Sequence, residues 1–194
     1  MKSILALDVS KSATGYAFGF PGDKPISGVE RFGTADSTED ETWATALKWL
    51  TRLMDDLKPD IVAIEAAIMS STPGRGGFTN PQSQGLLVGL QAVLRTVVKL
   101  KRPGRALLVN VASARKTFTG RGTYPKGEAK PAIQDRCLAL GWLDTFSLEE
   151  NRADALCIFA HVAAQESPDF SLALNFKSPR RAAKAAPAPE IIEF

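Results

Sequence analysis

The sequence predicts an α/β domain in which helices cover both faces of a mixed five-stranded sheet, with three antiparallel strands followed by parallel ones. Two observations support this class. The first three strand-like segments are joined by connections too short for a crossover helix, and the later ones alternate with helical segments. The length of 194 residues, with 44% hydrophobic and 23% charged residues, is typical of one ordinary globular core. We expect that core over residues 1–166, and a flexible Pro-, Ala- and Lys/Arg-rich tail over residues 167–194.

Three segments near the start of the chain have the pattern of an antiparallel meander. Residues 4–7 are continuously apolar, as in a strand that is buried on both faces. In residues 14–20 aromatic and small residues alternate, as they do along one face of a strand. Residues 29–34 follow after a Pro-Gly turn and complete the predicted meander.

The rest of the chain alternates helical and strand-like segments. Thr38 and Glu41 have capping-box spacing at the start of an amphipathic helix that Pro59 ends. A longer helix, over residues 81–100, follows an N-cap Asn and begins with Pro. The remaining predicted elements are strands over 61–66 and 106–111, a short helix over 113–118, a Gly-rich loop over 119–127, and helices over 128–140 and 147–165.

Three acidic residues stand on or beside segments that are otherwise apolar. Asp8 and Glu65 each end a buried strand, and Asp154 lies in the second turn of the last predicted helix. An unpaired buried carboxylate is costly, so such groups are paired, hydrogen-bonded or bound to a cation. Asp8 alone has a simpler explanation as the cap of the following turn, with Ser10 and Ser12. Three isolated carboxylates are instead the ligands that hard divalent cations prefer, and such clusters hold two metal ions about 4 Å apart for phosphoryl transfer.

Basic residues gather beside the Gly-rich loop. Between residues 115 and 136, six Lys or Arg residues stand against two acidic ones, whereas the net charge of the whole chain is only +3. A charge run of this kind is usually a solvated face, but next to a metal site phosphate contact becomes the better interpretation. The candidate DNA-binding residues are Lys116, Arg121, Lys126 and Lys130.

Several classes of function do not fit the composition. No apolar run approaches the roughly 20 residues that span a bilayer, and no basic segment precedes the first strand, so we expect a cytoplasmic protein without membrane contact. Cys137 and Cys157 lie in apolar helical contexts without C-x-x-C spacing, which argues against a disulfide framework. His161 is the only histidine, which excludes a His-rich zinc site, and a lone histidine is more often structural than catalytic.

Five stretches of the sequence resemble the RuvC family of Holliday-junction resolvases, within the ribonuclease H-like and retroviral-integrase superfamily. They follow one another in the family's order and spacing, from about residue 3 to residue 165. No single motif is specific, because the D-x-S-x-x-x-x-G pattern that begins at Asp8 also occurs in sugar kinases and actin-like ATPases. The ATPase fold needs a second phosphate-binding Gly-rich element and roughly twice this length, so we expect no nucleotide cofactor. The stretches are "ILALDVSKSATGYAF", "IVAIEAAIM", "NPQSQGLLVGLQAVLRTVV", "SARKTFTGRGTYPKGEAKPAI" and "NRADALCIFAHV".

The resemblance implies a homodimeric endodeoxyribonuclease with a ribonuclease H-like fold, which cuts two symmetry-related strands of a Holliday junction. It implies two Mg²⁺ ions in each active site, for which Mn²⁺ would substitute, with Asp8, Glu65 and Asp154 as catalytic metal ligands. It also places Lys116 and Lys130 where family members carry basic residues for junction processing.

The resemblance also implies that the long helix, residues 81–100, pairs two subunits. Gly85 and Gly89 favour close packing of that helix, either against a second subunit or within the fold. Two other functions stay open: a nuclease of the same fold that acts on flaps, forks or RNA hybrids, and a junction-binding protein without activity.

One departure from the family pattern concerns the metal site. Asn151 stands three residues before Asp154, where the family usually has a further acidic residue or a histidine. The carbonyl oxygen of Asn151 can bind a metal, but it adds no negative charge. Either Asn151 is a weak metal ligand or Glu150 replaces the missing acid. We favour Asn151, because Ser147 and Glu150 have the spacing of a capping box that would occupy the Glu150 carboxylate.

A second departure concerns the junction centre. Ile68 stands where the bacterial cellular enzymes carry an aromatic residue that wedges the junction. Phe78, in a loop of small and polar residues, is a candidate substitute for that contact. These departures favour a phage or mobile-element branch of the family.

Overall fold

The computed structural model describes residues 1–66, 81–101, 105–170 and 174, with side chains from residue 85 onward in the second range. Within these ranges, five strands form one mixed sheet in the order β3-β2-β1-β4-β5. The first three strands pair antiparallel, and β4 and β5 continue the sheet parallel to β1, which confirms the predicted fold class. The strands are β1 (Ile4–Asp8), β2 (Thr14–Gly19), β3 (Ile26–Glu30), β4 (Ile61–Glu65) and β5 (Arg105–Val109).

The predicted limits of two strands were wrong. The third strand is Ile26–Glu30 rather than residues 29–34, because the amides of Phe32 and Gly33 leave the ladder and donate to the Lys11 carbonyl. The fifth strand ends at Val109, since Asn110 caps the following helix by accepting a hydrogen bond from the Ser113 amide at 3.1 Å. A short polar side chain that can cap a helix therefore ended the strand earlier than its apolar pattern indicated.

Helices pack on both faces of the sheet. In β1, Ile4 and Ala6 belong to the core on one face, under the last three helices described, whereas Leu5 and Leu7 belong to the core on the other face, under the first two. All four side chains are fully buried, as the continuous apolar run predicted. The helices are α1 (Glu39–Leu57), α2 (Pro81–Lys101), α3 (Val111–Thr119), α4 (Ala129–Ala139) and α5 (Glu150–Glu166).

Helix ends agree with the sequence prediction at α1 but not at α5. Thr38 and Glu41 form the predicted capping box of α1. The predicted capping box of Ser147 and Glu150 at α5 was wrong, because Ser147 instead closes a turn by accepting from the Asp144 amide at 3.0 Å. The N-cap of α5 is Glu149, so α5 begins three residues later than predicted.

The first residues of the predicted tail belong to the packed structure. Phe170 stacks on Trp142 with ring centroids 6.3 Å apart, and Leu174 is buried in the same core. The carbonyl of Leu174 also accepts a hydrogen bond from the Arg136 guanidinium. The boundary between domain and tail at residue 166 stays a prediction, and residues 175–194 lie outside the described ranges.

Two further properties bear on the sequence predictions. Cys137 and Cys157 are both buried and not joined to each other. In the part of the chain that the structure describes, no helix is both long and apolar enough to cross a membrane.

The close helix packing predicted from Gly85 and Gly89 occurs within the fold, at one of the two glycines. A Cβ at Gly89 would overlap the Trp43 ring of α1, whose indole N–H donates to the Leu86 carbonyl at 3.3 Å. A Cβ at Gly85 would meet nothing within 4 Å. Gly89 is therefore explained by the contact between α1 and α2.

We expect Gly89→Ala to lower the free energy of unfolding by about 1–3 kcal/mol, because the Trp43 ring must move. The matched control Gly85→Ala should raise it by roughly 0.5–1 kcal/mol, since Ala is the better helix former and the site is open. Urea denaturation of both variants measures the difference. Equal effects of the same sign would contradict this account of the helix contact.

Candidate active site

The register of two parallel strands brings Asp8 and Glu65 side by side. Leu7 of β1 lies opposite Ile64 of β4, and the two acids follow these residues. Ala6 and Ala63, two residues before them, face the core under α5. Because side chains alternate along a strand, Asp8 and Glu65 share that face. The two half-buried carboxyl groups therefore meet at the carboxyl end of the sheet.

The two carboxyl groups are in direct contact. Burial raises the pKa of Asp8 to about 9, and a hydrogen bond with Glu65 and the Glu65 charge act in the same direction. A hydrogen bond between two carboxyl groups requires a proton, since an ionised carboxylate can only accept. Asp8 is therefore the protonated partner of this hydrogen bond in the absence of another positive charge.

Helix α5 places Asp154 beside this pair. Burial, and then the charge of Asp8, raise the pKa of Asp154 to about 7, while Arg115 and Lys130 act in the opposite direction. Asp154 is half-buried, like Asp8 and Glu65. Asp8 therefore interacts with both Glu65 and Asp154 at this end of the sheet.

Gly15 allows α5 to approach the sheet at this point. Gly15 pairs with Asp8 in the antiparallel register, so both residues face α5. A Cβ at Gly15 would overlap the backbone carbonyl group of Asn151 in the first turn of α5. The glycine of the D-x-S-x-x-x-x-G pattern is thus explained by close backbone contact next to Asp8.

The turn after β1 does not depend on the Asp8 side chain. The Ser10 amide donates to the Thr14 hydroxyl at 2.9 Å, and the Ala13 amide donates to the Ser10 hydroxyl at 3.0 Å. The simpler explanation of Asp8, as a cap of this turn, is therefore not what the structure shows. The carboxyl group of Asp8 is engaged with Glu65 instead.

The start of α5 carries an acid that the sequence pattern did not indicate. The Glu149 carboxylate accepts from the Arg152 amide at 2.9 Å and from the Asn151 side-chain amide at 2.7 Å. The charge of Glu149 also raises the pKa of Asp8, which places Glu149 near the three acids. Glu is not a preferred N-cap residue, so the residue type gave no signal for this position. Glu150 instead forms an ion pair with Lys130 of α4.

The four candidate DNA-binding residues all have exposed side chains. Lys130 lies near the acids, since the hydrogen bond with Glu150 and then the charges of Glu150, Asp154 and Asp8 raise the pKa of Lys130. Lys116 and Lys126 are exposed. Arg121 is exposed as well, with its guanidinium 5.3 Å from the Tyr124 ring centre.

Two further polar residues have structural partners. Arg136, which belongs to the basic run of the sequence, is buried, and its Nε donates to the Phe118 carbonyl at 3.1 Å. His161 is bonded through Nδ1 to the Thr117 hydroxyl at 2.8 Å and through Nε2 to Gln165 at 3.1 Å. Both residues are thus held by the fold, which agrees with the structural interpretation of His161.

The donors at this site are of the type that hard cations prefer. Asp8, Glu65 and Asp154 offer carboxylate oxygens, and Asn151 offers a carbonyl oxygen. Among the described residues, no three acidic, histidine or cysteine side chains are placed to enclose a metal ion together. The oxygen donor set and the raised pKa of Asp8 nevertheless fit a divalent cation, whose charge would favour the ionised form of that carboxyl group. Ile68 and Phe78, the candidate junction contacts, lie outside the described ranges.

Comparison with solved structures identifies the fold. Thermus thermophilus RuvC in complex with a Holliday junction substrate is similar with a TM-score of 0.63 and 13% identity, over 81% of this chain and 90% of that one. A second structure of the same RuvC has a TM-score of 0.62 and 13% identity, with 84% and 95% covered. The yeast mitochondrial Holliday junction resolvase has a TM-score of 0.57 and 11% identity, with 90% and 84% covered. No family model and no curated protein matches the sequence. The chain therefore has the fold of the RuvC-like resolvases, an α/β fold of the ribonuclease H-like type.

Proposed function

We propose that this protein is an endonuclease that resolves Holliday junctions with the help of Mg²⁺, for which Mn²⁺ can substitute. The observation that carries the proposal is the contact of Asp8 with Glu65 at the carboxyl end of the sheet, with Asp154 of α5 near enough for the charge of Asp8 to act on it. The similarity of the fold to RuvC bound to a Holliday junction supports this substrate. Acids brought together from two strands and a helix have no evident role in packing, since their burial is unfavourable.

The cations would be held by the carboxylates of Asp8, Glu65 and Asp154, with the side-chain carbonyl oxygen of Asn151 as a neutral fourth ligand. Two divalent ions, when bound, would activate water and stabilise the leaving 3′ oxygen of the phosphodiester. The chain itself would contribute the placement of the donors and the release of the proton that Asp8 retains. Lys130, on whose ammonium group the charges of Asp154 and Asp8 act, would contact a phosphate that neighbours the cut bond.

We further propose that the protein acts as a homodimer. Symmetric cutting of a four-way junction requires two active sites related by a two-fold axis. The exposed side chains of Val88 and Leu100 on α2 leave apolar surface on the helix that the family uses for pairing. A monomeric form should then bind DNA but fail to cut both strands.

The products of DNA cleavage distinguish this proposal from two alternative functions. A nuclease that acts on flaps, forks or RNA hybrids would cut a synthetic four-way junction asymmetrically, or would prefer the other substrates. A junction-binding protein without activity, suggested by the neutral Asn151, would bind the junction without cutting it in either metal. Cleavage of labelled junctions with Mg²⁺ and with Mn²⁺, followed by mapping of both cuts, tests all three. Paired cuts at symmetric positions are expected.

Replacing Asp8 or Asp154 by Asn, or Glu65 by Gln, should abolish cutting. Each change removes a negatively charged cation ligand but hardly alters the surface that meets DNA, so junction binding should stay close to that of the unmodified protein. Gel-shift titration without cations and the cleavage assay measure the two properties separately. Asp55→Asn, at an exposed acid that pairs with Lys101 on the other layer, is the matched control. Strong residual cutting by one variant would remove that residue from the proposed site.

Lys116→Ala combined with Lys130→Ala should weaken junction binding and its salt dependence. The slope of log K against log salt should become shallower by about 0.9 for each phosphate that the two lysines no longer neutralise. Lys48→Ala with Lys99→Ala removes two exposed lysines from α1 and α2, on the opposite face of the sheet, and serves as the control. An unchanged slope in the first double variant would show that neither Lys116 nor Lys130 meets phosphate.

A further inference from the structure

The start of α5 contains a hydrogen-bond arrangement that joins Glu149 to Asn151. One carboxylate oxygen of Glu149 accepts from the Arg152 amide at 2.9 Å and thereby caps the helix. The other oxygen accepts from the side-chain amide nitrogen of Asn151 at 2.7 Å. The same carboxylate therefore fixes both the first turn of the helix and the orientation of the Asn151 amide.

This arrangement determines which atom of Asn151 is available to a ligand. A carboxylate can only accept hydrogen bonds, so the amide nitrogen of Asn151 must face Glu149. The carbonyl oxygen then points away from Glu149, and no donor among the described residues bonds to it. A half-buried carbonyl oxygen held in this way is a suitable ligand for a hard cation.

The position of the pair places this oxygen and the Glu149 charge next to the acids. Asn151 precedes Asp154 by three residues, so both lie on the same side of α5. The Asn151 backbone carbonyl packs against Gly15, which is paired with Asp8. The charge of Glu149 acts on Asp8 as well, by raising the pKa of that carboxyl group.

Glu149 has no ion-pair partner among the described residues, unlike its neighbour Glu150. Glu150 is neutralised by Lys130, and both of those side chains are about half exposed. The partners of Glu149 within the described ranges are amide N–H groups, which carry no net charge. No basic side chain among the described residues therefore compensates the Glu149 carboxylate.

We propose that Glu149 is a positioning residue that compensates for the neutral Asn151. It holds the Asn151 carbonyl oxygen in place for a divalent cation and supplies the charge that an acid at position 151 would carry. Both alternatives drawn from the sequence, Asn151 alone and Glu150, omit this contribution. The inference rests on the proposed function, because it concerns cation binding by the same site.

Mn²⁺ binding to the full chain without DNA tests this proposal, measured by calorimetry or electron paramagnetic resonance. Glu149→Gln should weaken Mn²⁺ binding by about 10–100-fold, as for other residues that orient metal ligands. The introduced glutamine can still accept from the Arg152 amide, so the melting temperature in chelator should change little. Glu128→Gln removes an equal charge from an exposed side chain without a cap hydrogen bond and should leave binding unchanged.

A second variant exchanges the two chemical groups. Glu149→Gln combined with Asn151→Asp moves the carboxylate to position 151, while the introduced glutamine donates to it and still caps α5. This double variant should recover most of the Mn²⁺ affinity that Glu149→Gln removes. A purely structural role of Glu149 would not produce such a recovery. If Glu149→Gln fails to fold, the Mn²⁺ affinity of the double variant is compared with that of the unmodified protein instead, and most of that affinity should be retained.

The outcomes separate this inference from the proposed function. Unchanged Mn²⁺ binding in Glu149→Gln, or a double variant that binds no better than the single one, overturns the role of Glu149. The role of Glu149 is also overturned if Glu150→Gln lowers the Mn²⁺ affinity more than Glu149→Gln does. If the unmodified protein neither binds Mn²⁺ nor cuts any branched substrate, the proposed function itself is wrong.

Discussion

The arrangement of the site depends on the contact between the backbone of α5 and strand β2 at Gly15. Any side chain at Gly15 would overlap the backbone carbonyl group of Asn151, so only glycine allows the helix to lie this close to the sheet. Because Gly15 is paired with Asp8, the contact fixes the first turn of α5 beside the end of β1. The positions of Asp154 relative to Asp8, and of Glu149 relative to both, follow from that one approach.

This closeness has an electrostatic cost. Burial and mutual repulsion raise the pKa of Asp8 to about 9 and that of Asp154 to about 7, so protons are retained at neutral pH where exposed acids would be ionised. A core that kept such groups for stability alone would gain from apolar replacements. The unfavourable free energy of burial is instead what we expect of a site that would exchange the proton of Asp8 for a cation.

The acids of the strands could be predicted from sequence, whereas the start of α5 could not. Asp8 and Glu65 stand out because each ends an apolar run, and burial is readable from such a pattern. The capping box of Ser147 and Glu150 has correct spacing, but the Asp144 turn competes for the Ser147 hydroxyl. Competition between two local hydrogen-bond patterns is decided by packing, so spacing cannot resolve it. For this reason Glu149 was found only in three dimensions.

Binding of divalent cations by the acids at the carboxyl end of the sheet is tested most directly by an anomalous difference map of crystals grown or soaked with Mn²⁺, without DNA. Peaks are expected within about 2.0–2.6 Å of oxygens of Asp8 and Glu65, with Asp154 or the side-chain carbonyl oxygen of Asn151 completing the ligands. The proposed cation site would be contradicted if, at saturating Mn²⁺ and neutral pH, the map showed strong Mn²⁺ peaks elsewhere and none at these acids.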